Sequence, residues 1–359
     1  MKKIFSIGSV SYKLLYPLFL TFCCFGSYIT KSFLMPHTEQ TSFKSILSFI
    51  VHTFSLLPFG IITLILNKYY SKTGRIKETQ FNKKKLSLLL LIISVVRILE
   101  YVSFHYSNPF ENEKRGTYQF VSLFKVLQLI FTMIICIFLF KNQLYRHHYI
   151  SGGFALFFVT ILTIIECLYN TNVYNVRIIL SFFIGYIFNC IQEIIEKWIM
   201  QFLLVKPFTL LFYEGLFLFG FFIVFLIVIL SCSFQVFSFS FLWNNIGWCF
   251  LLMFFDIALM FTKIQTLFYY SPTHRYAADI IVIFYLYIFV LSIGGSSSIV
   301  SSILVGVFLI LIIISVVIFN EIIIVHVLNM DENTKSAIVE RSDNEHNQML
   351  LPKDKAQVK

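Results

Sequence analysis

"LSLLLLIISVVRILEYVSF", residues 86–104, is a run of apolar side chains that carries Arg97 and Glu100 near its centre. A helix needs about 20 mostly apolar residues to cross a bilayer, so this run has the length of a membrane span. The two ionisable groups therefore raise the question of what solvent they meet. Composition answers for the chain as a whole. Of 359 residues, 58% are hydrophobic and 13% charged, with 44 Phe, and mean hydropathy is +0.82. Soluble domains are typically about 45–50% apolar and about 25% charged, so the composition is that of a chain whose solvent is lipid.

Reading outward by length and by polar breaks gives ten candidate spans. The first five run roughly Leu14 to Leu34, Ser45 to Leu66, Leu86 to Tyr106, Phe120 to Phe140 and Tyr149 to Tyr169. The second five run roughly Val176 to Met200, Phe208 to Ser231, Leu242 to Leu267, Arg275 to Ile293 and Val300 to Val325. The first follows "MKK", as a signal peptide would. It is long, carries Lys31 near its end and lacks a small-x-small cleavage pattern, which reads as a retained helix.

An even number of spans puts both termini on one side, and the basic residues agree. The N-terminal tail (Lys2, Lys3, Lys13), the connection holding Lys68, Lys72, Arg75, Lys77, Lys83, Lys84 and Lys85, and the C-terminal tail all fall on that side. So do Lys141, Arg146, Lys197, Lys206, Lys263 and Arg275, whereas the opposite loops hold only Lys31, Lys44, Lys114, Arg115 and Arg177. The positive-inside rule makes the richer side cytoplasmic. The net charge of +10 is then a topology signal beside anionic lipid and calls for no nucleic acid. The expected organisation is a tail over 1–13, five-helix blocks over 14–170 and 171–328, and a disordered cytoplasmic tail over 329–359.

Catalytic signatures are missing from the sequence. There is no GxSxG, P-loop, GxGxxG or Asn-x-Ser/Thr sequon. Seven Cys lie in or beside apolar segments without a CxxC and read as small packing residues. Eight His show no ligand spacing, and His147 with His148 sits in a short basic loop, so neither a metal nor another cofactor is expected.

Charges inside spans cost at least about 2.5–3.5 kcal/mol at the bilayer centre and usually face a bundle interior or a water-filled cavity. Arg97 and Glu100, three apart on one helical face, partly neutralise each other. Lys125 has Ser122 and Gln128 on its face and no acid within a turn; it reads either as a cavity cation or as a lysine snorkelling to the interface. Arg97 and Lys125, with Gln128, Asn189 and Gln192, are the candidate contacts for an anionic polar solute. Asp256 has no partner on its own helix except Lys263, two turns away, and is the candidate coupling residue. Glu193, Glu196, Lys197, Glu214, Arg275 and Asp279 read as gate or fold pairs, Glu193 with Lys197 and Arg275 with Asp279 being four apart.

Two blocks of five spans would be inverted relative to one another, an arrangement common among transporters. "SGGFALFFVTILTIIE" and "VGVFLILIIISVVIFNE", from the fifth and tenth spans, both carry glycine early and end in glutamate, Glu166 and Glu321.

"FLFKNQLYRHHYISGGFALFFVTI" (138–161) resembles the helix, basic loop and glycine-led helix joining the fourth and fifth spans of the drug/metabolite transporter superfamily. "NCIQEIIEKWIMQFLLVKPFTLLFYEGLFLFG" (189–220) resembles the sixth and seventh spans of the solute carrier 35 family, especially its F subfamily. "SPTHRYAADI" (271–280) and "VVIFNEIII" (316–324) are similar to that group's ninth and tenth spans. The resemblance implies an all-α membrane protein of the EamA-like type: ten transmembrane helices as two inverted five-helix repeats, alternating access around a central site, and residence in an endomembrane such as Golgi, vacuole or lysosome. Ala277 and Ala278 stand before Asp279 where phosphosugar and nucleotide-sugar carriers show Lys/Arg or Lys/Thr, which leaves the substrate open.

The expected activity is transport of a small polar solute, of nucleotide-sugar or organic-anion class, without chemical change. Membrane lipids and the solute are the expected partners, with a homodimer left open. The rivals are a membrane-embedded enzyme on a lipid-linked substrate, for which "HYSNPFENEKRG" offers Glu111 and Glu113, and a scramblase or channel.

Overall fold

A computed structural model of the protein describes residues 5–7, 23, 41–72, 83–106, 117–141, 144–169, 176–232, 246–270, 272–277, 279–280, 299–321, 323–326 and 330. A short strand β1 (Phe5–Ile7) precedes helices α1 (Thr41–Leu56), α2 (Pro58–Lys72), α3 (Lys83–Tyr106), α4 (Thr117–Phe140) and α5 (Arg146–Tyr169). Then come α6 (Val176–Phe202), α7 (Pro207–Cys232), α8 (Ile246–Tyr269), α9 (Ile299–Phe319) and strand β2 (Ile323–Val325). Residues 272–277 and 279–280 are helical too. Most of the expected first and ninth spans lies outside the described residues, as do Glu111 and Glu113 and the tail beyond Met330.

Two departures from the sequence expectation have local causes. The second span is two helices rather than one, because Pro58 has no N–H to donate and occupies the first position of α2, where none is needed. The tenth ends at Phe319: Asn320 and Glu321 turn back on the last helical carbonyls (Asn320 N to Val316 O, 3.0 Å; Glu321 N to Ile318 O, 3.0 Å), and Glu321 takes φ 57°. Beyond that turn β2 pairs antiparallel with β1, Ser6 opposite Ile324. The start of the chain and the segment after α9 thus meet at one end of the helices.

Other contacts gather at that end. The Phe140 and Phe202 rings stack 6.3 Å apart, His148 stands edge-on to Phe319 at 4.9 Å, and Lys85 lies over the Trp198 ring at 4.6 Å. These join the N-terminus of α3, the α4–α5 and α6–α7 connections and the C-terminus of α9.

Among the described residues, packing forms two apolar clusters. One joins α4, α5, α9, Cys190 of α6 and residues Tyr276, Ala277 and Ile280, and the other joins α1, α2, α3, α7, α8 and the C-terminal half of α6. The most extensive helix pairings are α3 with α6 and α5 with α9. The outer surface is also apolar: Phe138 is 81% exposed, Leu64 71% and Phe254 64%. Apolar outside and ionic inside is the arrangement that lipid selects and water would oppose. Among the described residues, five helical stretches are long and apolar enough to cross a membrane: Phe49–Leu66, which runs across the break at Pro58, Lys83–Ser103, Arg146–Ile165, Pro207–Val224 and Ile246–Tyr269.

Candidate functional site

Most of the charged residues singled out in the sequence converge on one buried network built from α3, α4, α6, α7, α8, Arg275 and Asp279. Arg97, 4% exposed, lies at its centre. Its Nη1 donates to Glu100 Oε2 at 3.2 Å, and its Nη2 donates to Glu214 Oε1 on α7 at 3.4 Å and lies 4.0 Å from Glu196 Oε1 on α6. The helical spacing that puts Arg97 and Glu100 on one face of α3 also presents the guanidinium to two further helices.

Gln192 ties the carboxylates of α6 and α7 together. Its Nε2 donates to Glu196 Oε1, one turn along, and to Glu214 Oε1 at 3.1 Å. Lys263 on α8 lies 3.4 Å from both Glu196 Oε1 and Glu193 Oε1. Arg275 pairs through Nη1 with Glu193 and through Nη2 with Asp279 Oδ2 at 3.1 Å. Lys125 on α4 ends the chain, donating to the Asp279 carbonyl at 3.4 Å and standing 3.9 Å from its carboxylate. Lys125 thus has an acid nearby after all, supplied by another segment.

Neutral amides extend the network. Asn189 Nδ2 donates to Glu100 Oε1 at 2.8 Å, and Asn189 Oδ1 accepts from Gln128 Nε2 at 2.9 Å and from the Tyr276 hydroxyl at 3.0 Å. Gln128 Nε2 also donates to the Tyr186 carbonyl at 3.3 Å. All five proposed solute contacts therefore belong to one connected structure.

Asp256 anchors a separate group. Its Oδ2 accepts from His52 Nδ1 at 2.9 Å and from Ser55 Oγ at 2.5 Å, both on α1. His52 and Ser55 were missed in the sequence, although they lie three apart and so share a helical face. The signal available was Asp256 itself, a carboxylate without a partner within a turn on its own helix, which demands donors from elsewhere. Lys263, read from sequence only as a distant neighbour of Asp256, instead faces Glu193 and Glu196.

One expected pair is corrected. Glu193 and Lys197 do not meet as a pair: Glu193 is taken by Arg275 and Lys263, while Lys197 Nζ donates to the carbonyls of Leu267 (2.7 Å), Phe268 (3.2 Å) and Tyr270 (2.7 Å). Those are carbonyls at the end of α8, which have no helical N–H to accept and attract a cation.

Among the described residues, the acidic and basic groups of the main network are unequal in number. Arg97, Lys125, Lys263 and Arg275 face Glu100, Glu193, Glu196, Glu214 and Asp279, one acid more than the cations. Glu196 Oε2, Glu214 Oε2 and Gln192 Oε1 are buried acceptors without a hydrogen bond. The centre is thus rich in acceptors and in acidic groups.

A second cluster lies at the strand end. His147, His148 and Glu321 offer ligand atoms that all fall within 4.8 Å of one another. The sequence reading expected no metal ligands here, since the histidines show no ligand spacing; Glu321 is remote in the chain and arrives only through the turn that ends α9.

The described residues, almost entirely helical with an apolar exterior and an ionic interior, are compatible with a multi-pass membrane protein. No protein-family model and no curated protein matches the chain. Among solved structures, one described as "Crystal structure of protein" is similar at TM-score 0.53 and 10% identity, covering 86% of this chain and 96% of that one. The likeness is one of fold.

Proposed function

We propose that the chain is a multi-pass secondary transporter of the drug/metabolite type, moving a small polar solute by alternating access between two inverted five-helix halves. The observation that carries this reading is the buried network centred on Arg97, which links six segments beneath a lipid-like exterior. Ions at hydrocarbon depth are costly and are retained mainly where they line a pathway or gate. A pseudo-two-fold axis in the membrane plane would map the second span onto the seventh and the fifth onto the tenth. The corresponding packings of α1 and α2 on α7, and of α5 on α9, support that symmetry.

Pairing of β1 with β2 supports an even number of crossings, and the basic connections at that end support a cytoplasmic orientation. Resemblance to the solute carrier 35 family supports an endomembrane. Arg97 and Lys125, the cations expected to receive an anion, already face Glu100, Glu214 and Asp279. An anionic solute would have to displace those carboxylates, whereas the excess acid favours coupling to a cation or proton, with Asp256 as the candidate coupling group.

Proteoliposome uptake tests the reading. Purified chain is reconstituted and offered nucleotide sugars, organic anions, organic cations and amino acids, with and without a pH gradient. Saturable uptake of one class above protein-free vesicles is expected. Uptake equal to protein-free vesicles for every class, by protein with a native melting transition, would refute it.

A further inference from the structure

We propose that His147, His148 and Glu321 form a binding site for a zinc-like divalent cation that fastens the start of α5 to the end of α9. His147 and His148 occupy the first turn of α5 and are 3% and 4% exposed. Glu321 follows α9 by two residues, held at φ 57°, and its side chain is 13% exposed. Phe319 closes the site from α9, edge-on to the His148 ring. The donors thus come from the start of α5 and from the turn after α9, two helices that pack extensively along their length.

The state of His147 is the observation that calls for a ligand. A neutral imidazole has one N–H and one lone pair, and burying either without a partner costs about 1–3 kcal/mol. Neither ring nitrogen of His147 makes a hydrogen bond. Its Nε2 nevertheless lies 3.1 Å from Glu321 Oε1, close enough for a hydrogen bond but not aligned for one. Two donor atoms in contact without a shared proton suit a shared cation.

Zinc sits about 2.0–2.2 Å from imidazole nitrogen and carboxylate oxygen, so tetrahedral ligand atoms are separated by about 3.3–3.5 Å. The His147–Glu321 separation is close to that range, and the span of 4.8 Å over all three donors closes by side-chain rotation. His148 Nδ1 accepts from the Tyr145 N–H at 3.3 Å, a long bond that ligation by His148 would break. Two imidazoles and one carboxylate form a borderline donor set, which favours zinc and its late first-row neighbours over magnesium or calcium. This inference does not depend on the transport reading.

The test uses the full chain, purified in detergent through a tag without histidine, stripped with chelator and reloaded. Zinc bound per chain is counted by mass spectrometry, affinity is titrated, and cobalt(II) serves as the spectroscopic probe of geometry. One zinc per chain, a cobalt visible spectrum of four-coordinate type and a higher melting temperature with zinc are expected. His147→Ala and Glu321→Gln should each weaken zinc binding about tenfold or more, and His326→Ala, on an exposed neighbour, should leave it unchanged. If His147→Ala fails to fold, Glu321→Gln, which keeps shape and loses charge, decides. No stoichiometric zinc on the reloaded chain, or wild-type affinity in a folded His147→Ala or Glu321→Gln variant, would overturn the proposal.

Discussion

Arg97 on α3 and Glu214 on α7 are separated by 117 positions in the chain and by 3.4 Å in the structure. The same guanidinium meets Glu100 at 3.2 Å, so one cation satisfies carboxylates on two helices. Removing one partner of a buried charged pair typically costs about 3–5 kcal/mol, because it strands the other charge. Arg97→Ala should therefore lower the melting temperature in detergent more than any single neutral substitution on α3. Arg97→Lys should recover only part, since an ammonium lacks the planar fork that spans two acceptors. Adding Glu214→Gln to Arg97→Ala should restore some of the loss by removing one stranded carboxylate. A melting curve for Arg97→Ala that overlays the wild type would refute the assignment.

Asp256 is held by two donors from α1, His52 at 2.9 Å and Ser55 at 2.5 Å. Hydrogen bonds to charged groups contribute about 1.5–3 kcal/mol, so Ser55→Ala and Asp256→Asn should each destabilise by that order. The two should be non-additive, because Ser55→Ala removes the donor of one bond and Asp256→Asn the charge that strengthens it. A double-mutant cycle by thermal or denaturant unfolding measures the coupling, and a coupling near zero would mean that the Ser55 hydroxyl and the carboxylate do not interact. Under the transport reading Asp256→Asn should also abolish the gradient dependence of uptake, which Ser55→Ala should retain.

Legibility in the sequence followed the range of each interaction. Helical spacing of three or four makes Arg97 with Glu100 and Arg275 with Asp279 readable, because both partners share a helix. The same rule misleads at Glu193 and Lys197: spacing says that two side chains can meet, not that neither has a better partner across the bundle. Lys263, Arg275 and the carbonyls closing α8 are those better partners, and only packing brings them close. Asp256 was readable as an acid in need of donors, but which residues supply them depends on α1 crossing α8. The helical, membrane-compatible fold followed from composition and span length alone. The break at Pro58 was legible too, since a proline inside an apolar run removes a helical donor, yet hydropathy reads straight through it.

Gly215 and Gly220 stand one turn and a residue apart on α7 and face different surroundings. A Cβ built on Gly215 would meet Leu56 Cβ at 2.8 Å and its backbone carbonyl carbon at 3.3 Å, whereas one on Gly220 meets nothing within 4 Å. Leu56 is fully buried at the end of α1, just before the break at Pro58, so it has little room to yield. Gly215→Ala should separate α1 from α7 and destabilise by about 1–3 kcal/mol, the usual cost of overpacking. Gly220→Ala should be neutral, or stabilising by up to about 1 kcal/mol through helix propensity. Melting temperatures of the two variants check this directly, and equal shifts would show that α1 and α7 do not approach this closely.

Ser6 on β1 lies opposite Ile324 on β2, and this pairing reports on topology as well as on fold. Directly opposed residues of an antiparallel pair have Cα atoms about 4.5–5.5 Å apart, within the range of about 4.4–6.8 Å that a disulfide spans. Introduced into a background lacking the seven native cysteines, Ser6→Cys with Ile324→Cys should cross-link on mild oxidation in native membranes. Ser6→Cys with Thr117→Cys should not, because Thr117 begins α4 and the other end of that helix, Phe140, is the one near Phe202. Membrane-impermeant thiol reagents should reach positions 6 and 324 from the same compartment. Labelling of those two positions from opposite compartments would mean an odd number of crossings between them, and two inverted five-helix halves could not then be built from this chain.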